Sequence, residues 1–370
     1  MAQRNLRVID LDAIRYNMAS FRAAVPEKVR LMAVVKADAY GHGALEVSRA
    51  VLESGADMLA VATVSEGAFL RKHGISVPIL VLGAVCEEDA AEGAASGLTQ
   101  TVCSPEMVRI CEEAARQTGC AAEVHLKFDT GMGRIGVRSE EERDAVLAEL
   151  ERSEHVRLTG AFTHFSDADG DEEGRKYTKV QFKKFRNLTA SLPENVLRHC
   201  CNSAAAMMGD NEMFMDIARI GIALYGYPPV NGQPAVKRCM RWTTNISFVK
   251  DIPPDEYVSY GRTWKSDSIR RIATVSCGYA DGYFRSAGSM GEVLVNGKKY
   301  KIVGRICMDQ MMIDITGNND IRAGDEAVLL GRSGSEEITA DDIASWCGTI
   351  SYEILTSFSG RGNRIFTGRG

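Results

Sequence analysis

Lys36 is the residue whose position most clearly indicates chemistry. It ends a short apolar, valine-rich run within the stretch Leu31–Gly43, where a buried strand is predicted to give way to a tight polar turn. Burial lowers the pKa of a lysine because it disfavours the charged form. An unprotonated amine is what a Schiff base with an aldehyde cofactor requires. A strand-end lysine that reaches solvent is an equally good interpretation of this stretch alone.

Other reactive side chains follow later strand-like runs. In chain order they are Arg134 in the glycine-rich segment Asp129–Gly136, His164, the pair Asn202–Ser203, and Arg219 with Gly221 and Ile222. In a parallel barrel the carboxyl ends of the strands meet at one face, and the loops after strands seven and eight commonly bind phosphate. Ser203 and the backbone amides near Gly221 and Ile222 fit that role. A lysine Schiff base beside a phosphate site indicates pyridoxal phosphate.

The elements that must position these groups are eight strand-like runs separated by crossover segments, most of them helical in pattern. The strands are predicted at the run ending at Lys36, Met58–Ala62, Pro78–Leu82, Thr99–Cys103, Glu123–Phe128, Arg157–Phe162, Leu197–Cys201 and Met215–Arg219. Their number and spacing favour an eight-stranded parallel (β/α)8 barrel of the TIM type over residues 11–228. An open doubly wound sheet is the rival fold, but no G-x-G-x-x-G turn follows the first strand.

The pattern of the chain changes near residue 235. Short strand-like runs separated by turns predict a mainly β domain over residues 235–370, joined by an N-terminal strand within residues 1–10. Asn296–Gly297 and Gly324–Asp325 occupy hairpin-like positions. One helix is predicted over Thr339–Cys347, with Thr339 as its N-cap. The chain is therefore predicted to be α/β with a mainly β C-terminal domain.

Composition excludes several classes of function. A formal net charge of −5 argues against nucleic acid or an anionic membrane as the main partner. No apolar run approaches the length of a membrane span, and the N-terminus does not lead into a signal-peptide core. The ten cysteines show neither C-x-x-C pairs nor metal-ligand spacing. We therefore expect reduced thiols, a cytoplasmic location and no metal site.

Seven motifs resemble those of the bacterial alanine racemase family and occur in the same order. They are Val35–Gly43, Asp129–Gly136, Asn202–Ser203, Arg219–Gly226, Val258–Thr263, Gly278–Gly282 and Ile306–Gln310. Each is weak alone, but together they identify the chain as a member of that family. The resemblance implies a pyridoxal-phosphate barrel plus a β domain, a head-to-tail homodimer with shared active sites, and interconversion of L-alanine and D-alanine.

The resemblance also implies roles for individual residues. Lys36 matches the residue that carries the cofactor and serves as one acid–base group, and Tyr260 of the partner subunit matches the second. The remaining cofactor positions are matched by Tyr40, His164, Asn202, Ser203, Arg219, Gly221, Ile222 and Tyr352. Substrate-carboxylate positions are matched by Arg134 and Met308, and supporting positions by Tyr279, Asp309 and Lys127, a lysine that is often carbamylated in the family.

The chemistry of racemisation agrees with these roles. The reaction needs a base on each face of the α-carbon, because one small base cannot easily serve both. Arg219 matches the residue that faces the pyridine nitrogen. A guanidinium stays protonated and donates, so the ring nitrogen must accept and remain neutral. The cofactor is then a weaker electron sink, and side reactions of a long-lived carbanion are suppressed.

Several alternatives remain at this stage. Serine or another small amino acid is the closest alternative substrate, since pocket volume decides between them. A decarboxylase of the same architecture places a carboxylate at the pyridine nitrogen, which Arg219 opposes. Proteins that bind pyridoxal phosphate for homeostasis, without catalysing a reaction, resemble the barrel alone. The predicted C-terminal domain, which contains Tyr260, argues against that class. A histidine at a strand end is more often structural than catalytic, and we assign that role to His125 and His199.

Overall fold

The computed structural model describes residues 4–358 and 361–368, which form two compact units. One unit runs from Ala13 to Lys237. The other combines the residues up to Asp12 with those from Arg238 onward. The chain opens with strand β1, Leu6–Asp10, in the second unit, and helix α1 follows over Leu11–Ala24.

Eight parallel strands form the sheet of the Ala13–Lys237 unit. They are β2 Arg30–Val34, β3 Met58–Val61, β4 Ile79–Ala84, β5 Thr99–Val102, β6 Ala122–Lys127, β7 Val156–Phe162, β8 Leu197–His199 and β9 Ile217–Ile220. Their spatial order is β8-β7-β6-β5-β4-β3-β2-β9. Two backbone hydrogen bonds link the remaining gap, from Asp216 to the Arg198 carbonyl and from Arg219 to the Cys201 carbonyl, each 3.0 Å long. The predicted barrel is confirmed.

Several barrel strands, such as β3 and β4, are apolar along their length, because both faces of a parallel sheet are covered. Leu31, Met32 and Ala33 of β2 are fully buried. The helices are α2 Ala44–Leu52, α3 Val64–Lys72, α4 Glu87–Ala95, α5 Pro105–Thr118, α6 Glu140–Arg152, α7 Glu172–Thr189, α8 Ser203–Met208 and α9 Asn211–Phe214. Many begin at a side-chain cap that satisfies an otherwise unpaired N–H. At α3, for example, Thr63 and Glu66 form a capping box.

The second unit is built mainly of antiparallel strands. They are β10 Met240–Ile252, β11 Tyr257–Val258, β12 Trp264–Lys265, β13 Arg270–Val275, β14 Glu292–Val295, β15 Lys298–Lys301, β16 Met311–Asp314, β17 Glu326–Ser333, β18 Glu336–Ile338 and β19 Asn363–Thr367. The main sheet runs β15-β14-β17-β10-β1-β19; off this path, β13 pairs with β10, β16 pairs with β13, and β18 pairs with β17. Two helices follow, α10 Ala340–Cys347 and α11 Ser351–Thr356.

The turn predictions for this unit had different outcomes. Asn296 and Gly297, both at positive φ, join the paired strands β14 and β15, so a hairpin is confirmed there. Gly324–Asp325 precedes β17, which pairs with β10, β14 and β18, whereas the strand before it, β16, pairs with β13. The hairpin predicted at that pair was therefore wrong. Thr339 caps α10 as predicted, accepting from the N–H of Asp342. Within residues 4–358 and 361–368, no helix is long and apolar enough to cross a membrane.

Candidate active site

The segment after β2 has an unusual backbone. Residues 37–40 all adopt the left-handed conformation, with φ between 51° and 54°, although none is glycine. Such a backbone costs about 1–2 kcal/mol per residue for an L-amino acid. Hydrogen bonds hold it in place: Ala37 donates to Glu66 Oε1 at 2.7 Å and Ala44 donates to Asp38 Oδ1 at 2.8 Å. The sequence predicts only a tight polar turn here, without its handedness.

Lys36 begins this turn and is partly buried. Burial is the largest cause of a lowered pKa for its amine, and the nearby charge of Arg134 lowers that pKa further. The carboxylate of Glu66 acts in the opposite direction. The net effect makes the neutral amine more available than it is on an ordinary surface lysine.

Three groups converge beside the turn that begins at Ile222. Gly221 donates its N–H to Ser203 Oγ at 2.8 Å. A Cβ placed on Gly221 would lie 3.1 Å from the hydroxyl of Tyr40 and 3.8 Å from Ser203 Oγ. A glycine therefore leaves a small space beside two hydroxyls, which can donate to an anion. Asn202 caps helix α8 by accepting from Ala205 N at 3.0 Å, which fixes Ser203 next to it.

Arg219 is buried in the barrel, and among the residues that the structure describes its two terminal nitrogens have no anionic partner. Nη2 donates to the carbonyls of Thr163 (2.8 Å) and Cys200 (3.1 Å) and lies 3.3 Å from His164 Nδ1. Nη1 lies 2.9 Å from Nδ1 of His199. Burial lowers the pKa of Arg219 to about 10, so the guanidinium remains charged at neutral pH. A buried cation held only by neutral groups is poised to donate to a further acceptor.

Two histidines that we assigned a structural role belong to this network. His125 Nδ1 lies 3.0 Å from His199 Nε2, and both rings are buried. Burial, followed by the charge of Arg219, lowers the pKa of His125 to about 3 and that of His199 well below its usual value. Because Arg219 donates to His199 Nδ1, the neutral His199 must carry its proton on Nε2 and donate to His125. His125 lies two residues before Lys127 on one strand, a spacing that could have indicated a shared face.

Lys127 lies at the end of β6, opposite Phe162 on β7. Its ammonium donates to the Phe128 carbonyl at 2.8 Å and lies 4.9 Å from the centre of the Phe162 ring. Burial, followed by the charges of Arg219 and Arg134, lowers the pKa of Lys127 to about 7. A large part of this amine is therefore neutral near physiological pH.

Arg134 lies in the loop that follows β6 and is exposed. Asp129 shapes that loop by accepting from the N–H groups of Gly131 (3.1 Å) and Gly133 (2.9 Å). Burial, followed by the charges of Arg219, Lys127, Arg134 and Lys36, lowers the pKa of His164 well below its usual value. Those groups therefore lie close enough to interact, and the structure brings this set of predicted residues together at the carboxyl ends of the barrel strands.

The other predicted site residues lie in the second unit. Their exposed fractions are 69% for Tyr260, 49% for Met308, 42% for Tyr279 and 36% for Tyr352, and Asp309 is also exposed. Ser259, at a φ of 68°, donates from its hydroxyl to the Arg305 carbonyl at 2.5 Å and so fixes the backbone before Tyr260. Asp309 pairs with Arg361 at 2.5 Å. The predicted site residues are thus divided between the two compact units of the chain.

Known proteins match the whole chain. The alanine racemase N-terminal domain family matches residues 9–229, and the alanine racemase C-terminal domain family matches residues 239–366. The alanine racemase of Symbiobacterium thermophilum is 41% identical over 97% of this chain and 96% of that protein. Alanine racemase 1 of Bacillus subtilis is 42% identical over 98% of this chain and 92% of that protein.

Solved structures match it equally well. Alanine racemase from Bacillus anthracis with bound L-Ala-P superposes with a TM-score of 0.93 at 34% identity, covering 100% of this chain and 96% of that one. A histidine racemase from Leuconostoc mesenteroides gives a TM-score of 0.89 at 27% identity, covering 99% of this chain and 98% of that one. With both domain families matched in order, the chain belongs to the alanine racemase family, a family of isomerases.

Proposed function

We propose that this chain interconverts L-alanine and D-alanine, with pyridoxal 5'-phosphate attached to Lys36 and with Lys36 and Tyr260 of the partner subunit as the two bases. The observation that carries the proposal is the buried Arg219. Its terminal nitrogens contact only neutral groups, and it lies in the same barrel as an amine of lowered pKa. Family membership supports the choice of alanine.

The described side chains fit this cofactor. Its phosphate would be held by the hydroxyls of Tyr40 and Ser203 and by the amides of Gly221 and Ile222, where a Cβ on Gly221 would fill the space. We assign Asn202 and Tyr352 to the same phosphate site. Arg219 would donate to the pyridine nitrogen, with His164 beside it. When bound, pyridoxal phosphate spreads negative charge from the substrate α-carbon into its ring, which lowers the cost of removing the α-proton.

Lys36 performs the proton transfer on one face of the α-carbon. Its Nζ must be unprotonated to accept a proton, and the lowered pKa makes that state more accessible than it is for an ordinary lysine. The guanidinium of Arg219 cannot give up its proton, so it favours an unprotonated pyridine nitrogen. That arrangement limits the stabilisation of negative charge and favours fast return of the proton over side reactions.

Tyr260 of the partner subunit serves the opposite face. Its side chain is 69% exposed, and Ser259 and Arg305 fix the backbone that carries it. Because Lys36 and Tyr260 belong to separate units of the chain, a homodimer in which each second unit completes the other subunit's barrel site explains how the two bases meet. We infer this dimer from family membership and from the division of the site.

The substrate carboxylate is assigned to Arg134 and Met308, with Tyr279 and Asp309 in support. Arg134 offers the charged donor, which binds carboxylates strongly. We assign Lys127 a supporting role in the barrel part of the proposed site. Its pKa of about 7 leaves the neutral amine that reacts with carbon dioxide, so carbamylation of this lysine, as in related racemases, is part of the proposal.

The proposed location of the enzyme is the cytoplasm, and its proposed cellular role is to supply D-alanine for peptidoglycan. All ten cysteines are free thiols in the structure, which fits a reducing compartment. The observation that favours a second candidate substrate is the likeness to a histidine racemase: this fold accommodates more than one side chain. Serine remains the alternative closest in size to alanine.

An amino-acid panel tests the proposed activity. Each enantiomer of alanine, serine and histidine is incubated with the purified protein, and loss of optical rotation is followed. We expect kcat/KM to be highest for alanine, but only by about a hundredfold or less over serine, since an apolar pocket rejects one added hydroxyl poorly. Equal or higher kcat/KM for serine would overturn alanine as the substrate.

A chemical label tests the cofactor. Purified protein should be yellow, and borohydride reduction should leave the cofactor attached to the peptide that contains Lys36. A reduced adduct on any other lysine would show that Lys36 is not the attachment site.

A further inference from the structure

The peptide between Cys307 and Met308 is held by the turn Gly278–Gly282. The N–H of Tyr279 donates to the Cys307 carbonyl at 3.1 Å, and the N–H of Ala280 donates to the Met308 carbonyl at 2.9 Å. In a trans peptide the N–H points opposite to the carbonyl. The first bond therefore aims the Met308 N–H away from the turn. Among the residues the structure describes, that N–H has no hydrogen-bond acceptor.

The turn approaches this peptide closely because residue 278 is glycine. A Cβ on Gly278 would overlap the carbonyl oxygens of both Cys307 and Met308. The φ of Gly278 is −147°, which any residue can adopt, so the close approach and not the backbone conformation requires glycine here. The position of the turn thus determines the orientation of the Met308 N–H.

A buried carboxylate, Asp281, holds the turn in this shape. It is 2% exposed, its Oδ2 accepts from the N–H of Gly278 at 3.0 Å, and its Oδ1 accepts from Nδ2 of Asn5 at 3.2 Å. Arg4 lies 3.9 Å from Oδ2 and donates to the Asp309 carbonyl at 3.4 Å. A buried carboxylate is stable only when its oxygens are paired, and Asp281 pairs both.

Asn5 connects this carboxylate to the main sheet. It is 2% exposed with a φ of 54°. Its Oδ1 accepts from Trp242 Nε1 at 2.5 Å, and its carbonyl accepts from the Asn363 N–H at 3.0 Å. A chain of hydrogen bonds therefore runs from Trp242 through Asn5 and Asp281 to the turn. Trp242 of β10 and Asn5, which directly precedes β1, thus hold the turn in place. This turn determines the orientation of the Cys307–Met308 peptide.

We propose that Asp281 and Asn5 are positioning residues that aim the Met308 N–H at the substrate carboxylate. A backbone N–H held in one direction is a strong donor to an anion, because the bond is charge-assisted and no further ordering is needed. This inference rests on the proposed function, in which Met308 belongs to the carboxylate site. It assigns the buried network a role in substrate affinity, separate from the proton transfers.

Asp281→Asn tests the role directly. The amide has one acceptor oxygen and one NH2 group, so it places a donor against either Gly278 N–H or Asn5 Nδ2. We expect KM for alanine to rise about tenfold, the effect of about 1.4 kcal/mol. The inhibition constant of propionate, a carboxylate without an amine, should rise by the same factor. The inhibition constant of ethylamine, an amine without a carboxylate, should stay the same.

Asp342→Asn is the matched control. Asp342 accepts from the N–H and hydroxyl of Thr339 at 2.8 and 2.7 Å, so the same substitution breaks a comparable local network in the same unit. We expect it to change the melting temperature but neither inhibition constant. If the inhibition constant of propionate is the same for the Asp281→Asn and Asp342→Asn enzymes, the inference is overturned.

Asn5→Gly is a second test of the positioning role, and it applies if the Asp281→Asn variant fails to fold. Glycine accepts the positive φ at this position, so the variant removes only the side-chain bonds to Asp281 and Trp242. It should raise the propionate constant in the same direction, and an unchanged value would refute the role. A wild-type protein that does not racemise alanine refutes the proposed function instead. If the wild type is active, an unchanged propionate constant in a folded Asp281→Asn or Asn5→Gly variant refutes the positioning role alone.

Discussion

At the scale of single residues, Arg219 shows how the barrel would favour one use of the proposed cofactor site. A carboxylate beside the guanidinium would neutralise it, but the groups bound to Nη1 and Nη2 are carbonyls and imidazoles. His199 and His164 stay neutral because burial and the charge of Arg219 lower their pKa values. The positive charge is therefore available to whatever acceptor lies next to it, and protonation of that acceptor is opposed.

Replacing Arg219 by glutamate should reverse this preference. A carboxylate favours a protonated pyridine nitrogen, so negative charge would persist longer on the cofactor and a long-wavelength absorption band should appear with alanine. Racemisation should slow by on the order of 10²-fold, as when a preorganised electrostatic partner is removed. Arg219→Lys, which keeps a positive donor, should show no such band. Spectra with substrate that match the wild type for both variants would show that Arg219 does not face the pyridine ring.

Lys127 predicts a pH dependence of stability. Its pKa falls from the ordinary 10.5 to about 7 in the folded chain. Between those values the unfolded chain binds a proton that the folded chain does not, so stability rises with pH across this window. The cost of folding with Lys127 is largest below pH 7 and vanishes above the unfolded pKa. Lys127→Met should therefore stabilise the protein by a few kcal/mol at neutral pH, and this gain should shrink toward pH 10.

Urea unfolding of the apoprotein in bicarbonate-free buffer at several pH values measures this effect. Bicarbonate is left out because a carbamylated lysine has a different charge. Lys183→Met, at an exposed position of helix α7, is the control and should change stability little at any pH. A stabilisation by Lys127→Met that is the same at pH 6.5 and pH 9.5 would contradict a lowered pKa.

The limits of sequence reasoning about the site are clear from two residues. Lys36 follows an apolar strand, and that position alone fits a reactive amine and a solvent-exposed lysine equally well; the phosphate-site residues at later strand ends are what indicated chemistry. His199 lies at the end of a strand and was assigned a structural role, because no sequence pattern reveals that its Nδ1 meets Arg219, twenty residues later in the chain. The backbone hydrogen bonds that place β9 beside β8 bring these groups together, including the one from the Arg219 N–H to the Cys201 carbonyl. Register depends on tertiary packing, which a single sequence does not display.

At the scale of elements, the left-handed segment at residues 37–40 is the strained part of the barrel rim. It directly follows Lys36 and ends with Tyr40, which packs on the Tyr225 ring at 4.8 Å. The strain is compensated by hydrogen bonds from outside the segment, including the one from Ala37 to Glu66. Strained backbone persists only where its surroundings fix it, and it concentrates at functional sites.

Ala37→Gly should relieve part of that strain. Left-handed backbone costs alanine about 1–2 kcal/mol, whereas the extra freedom of glycine in the unfolded chain costs about 0.4–1 kcal/mol. The net result should be a stabilisation of about 0.5–1 kcal/mol. Ala91→Gly, inside helix α4, is the matched control and should destabilise by about 1 kcal/mol. Denaturant unfolding of both variants checks the opposite signs, and equal losses would show that position 37 is not strained.

The regular elements were more predictable than this turn. All eight barrel strands overlap the predicted runs. Continuous apolar runs, as in β3 and β4, are the pattern expected of buried parallel strands. Strand β14, Glu292–Val295, ends directly before the Asn296–Gly297 turn that the sequence indicated. The hairpin predicted at Gly324–Asp325 was wrong because a turn signal does not identify the partner of the next strand. Strand β17 pairs with β10 and β14, which are distant in sequence.

At the scale of the whole molecule, the residues of the proposed site are divided between the two compact units of the chain. The amine of Lys36 and the hydroxyl of Tyr260 belong to two separate compact units. In the barrel half, Lys127, Ser203 and Arg219 are buried, whereas the side chains assigned to the other half are exposed in the single chain. Exposed aromatic and methionine side chains of this kind are what a partner surface covers. A second subunit that brings Tyr260 to the barrel of the first satisfies both observations.

Mixed dimers test this arrangement quantitatively. Lys36→Ala and Tyr260→Ala should each be nearly inactive, since each removes one of the two bases. In a mixed dimer with shared sites, one site carries both defects and the other carries neither. Unfolding and refolding equal amounts together should make about half of the dimers mixed, each with one intact site, and restore about a quarter of wild-type activity. Mixing the folded variants without subunit exchange should restore none. If refolded mixtures stay inactive while mass spectrometry shows mixed dimers, the two bases of one site come from the same chain.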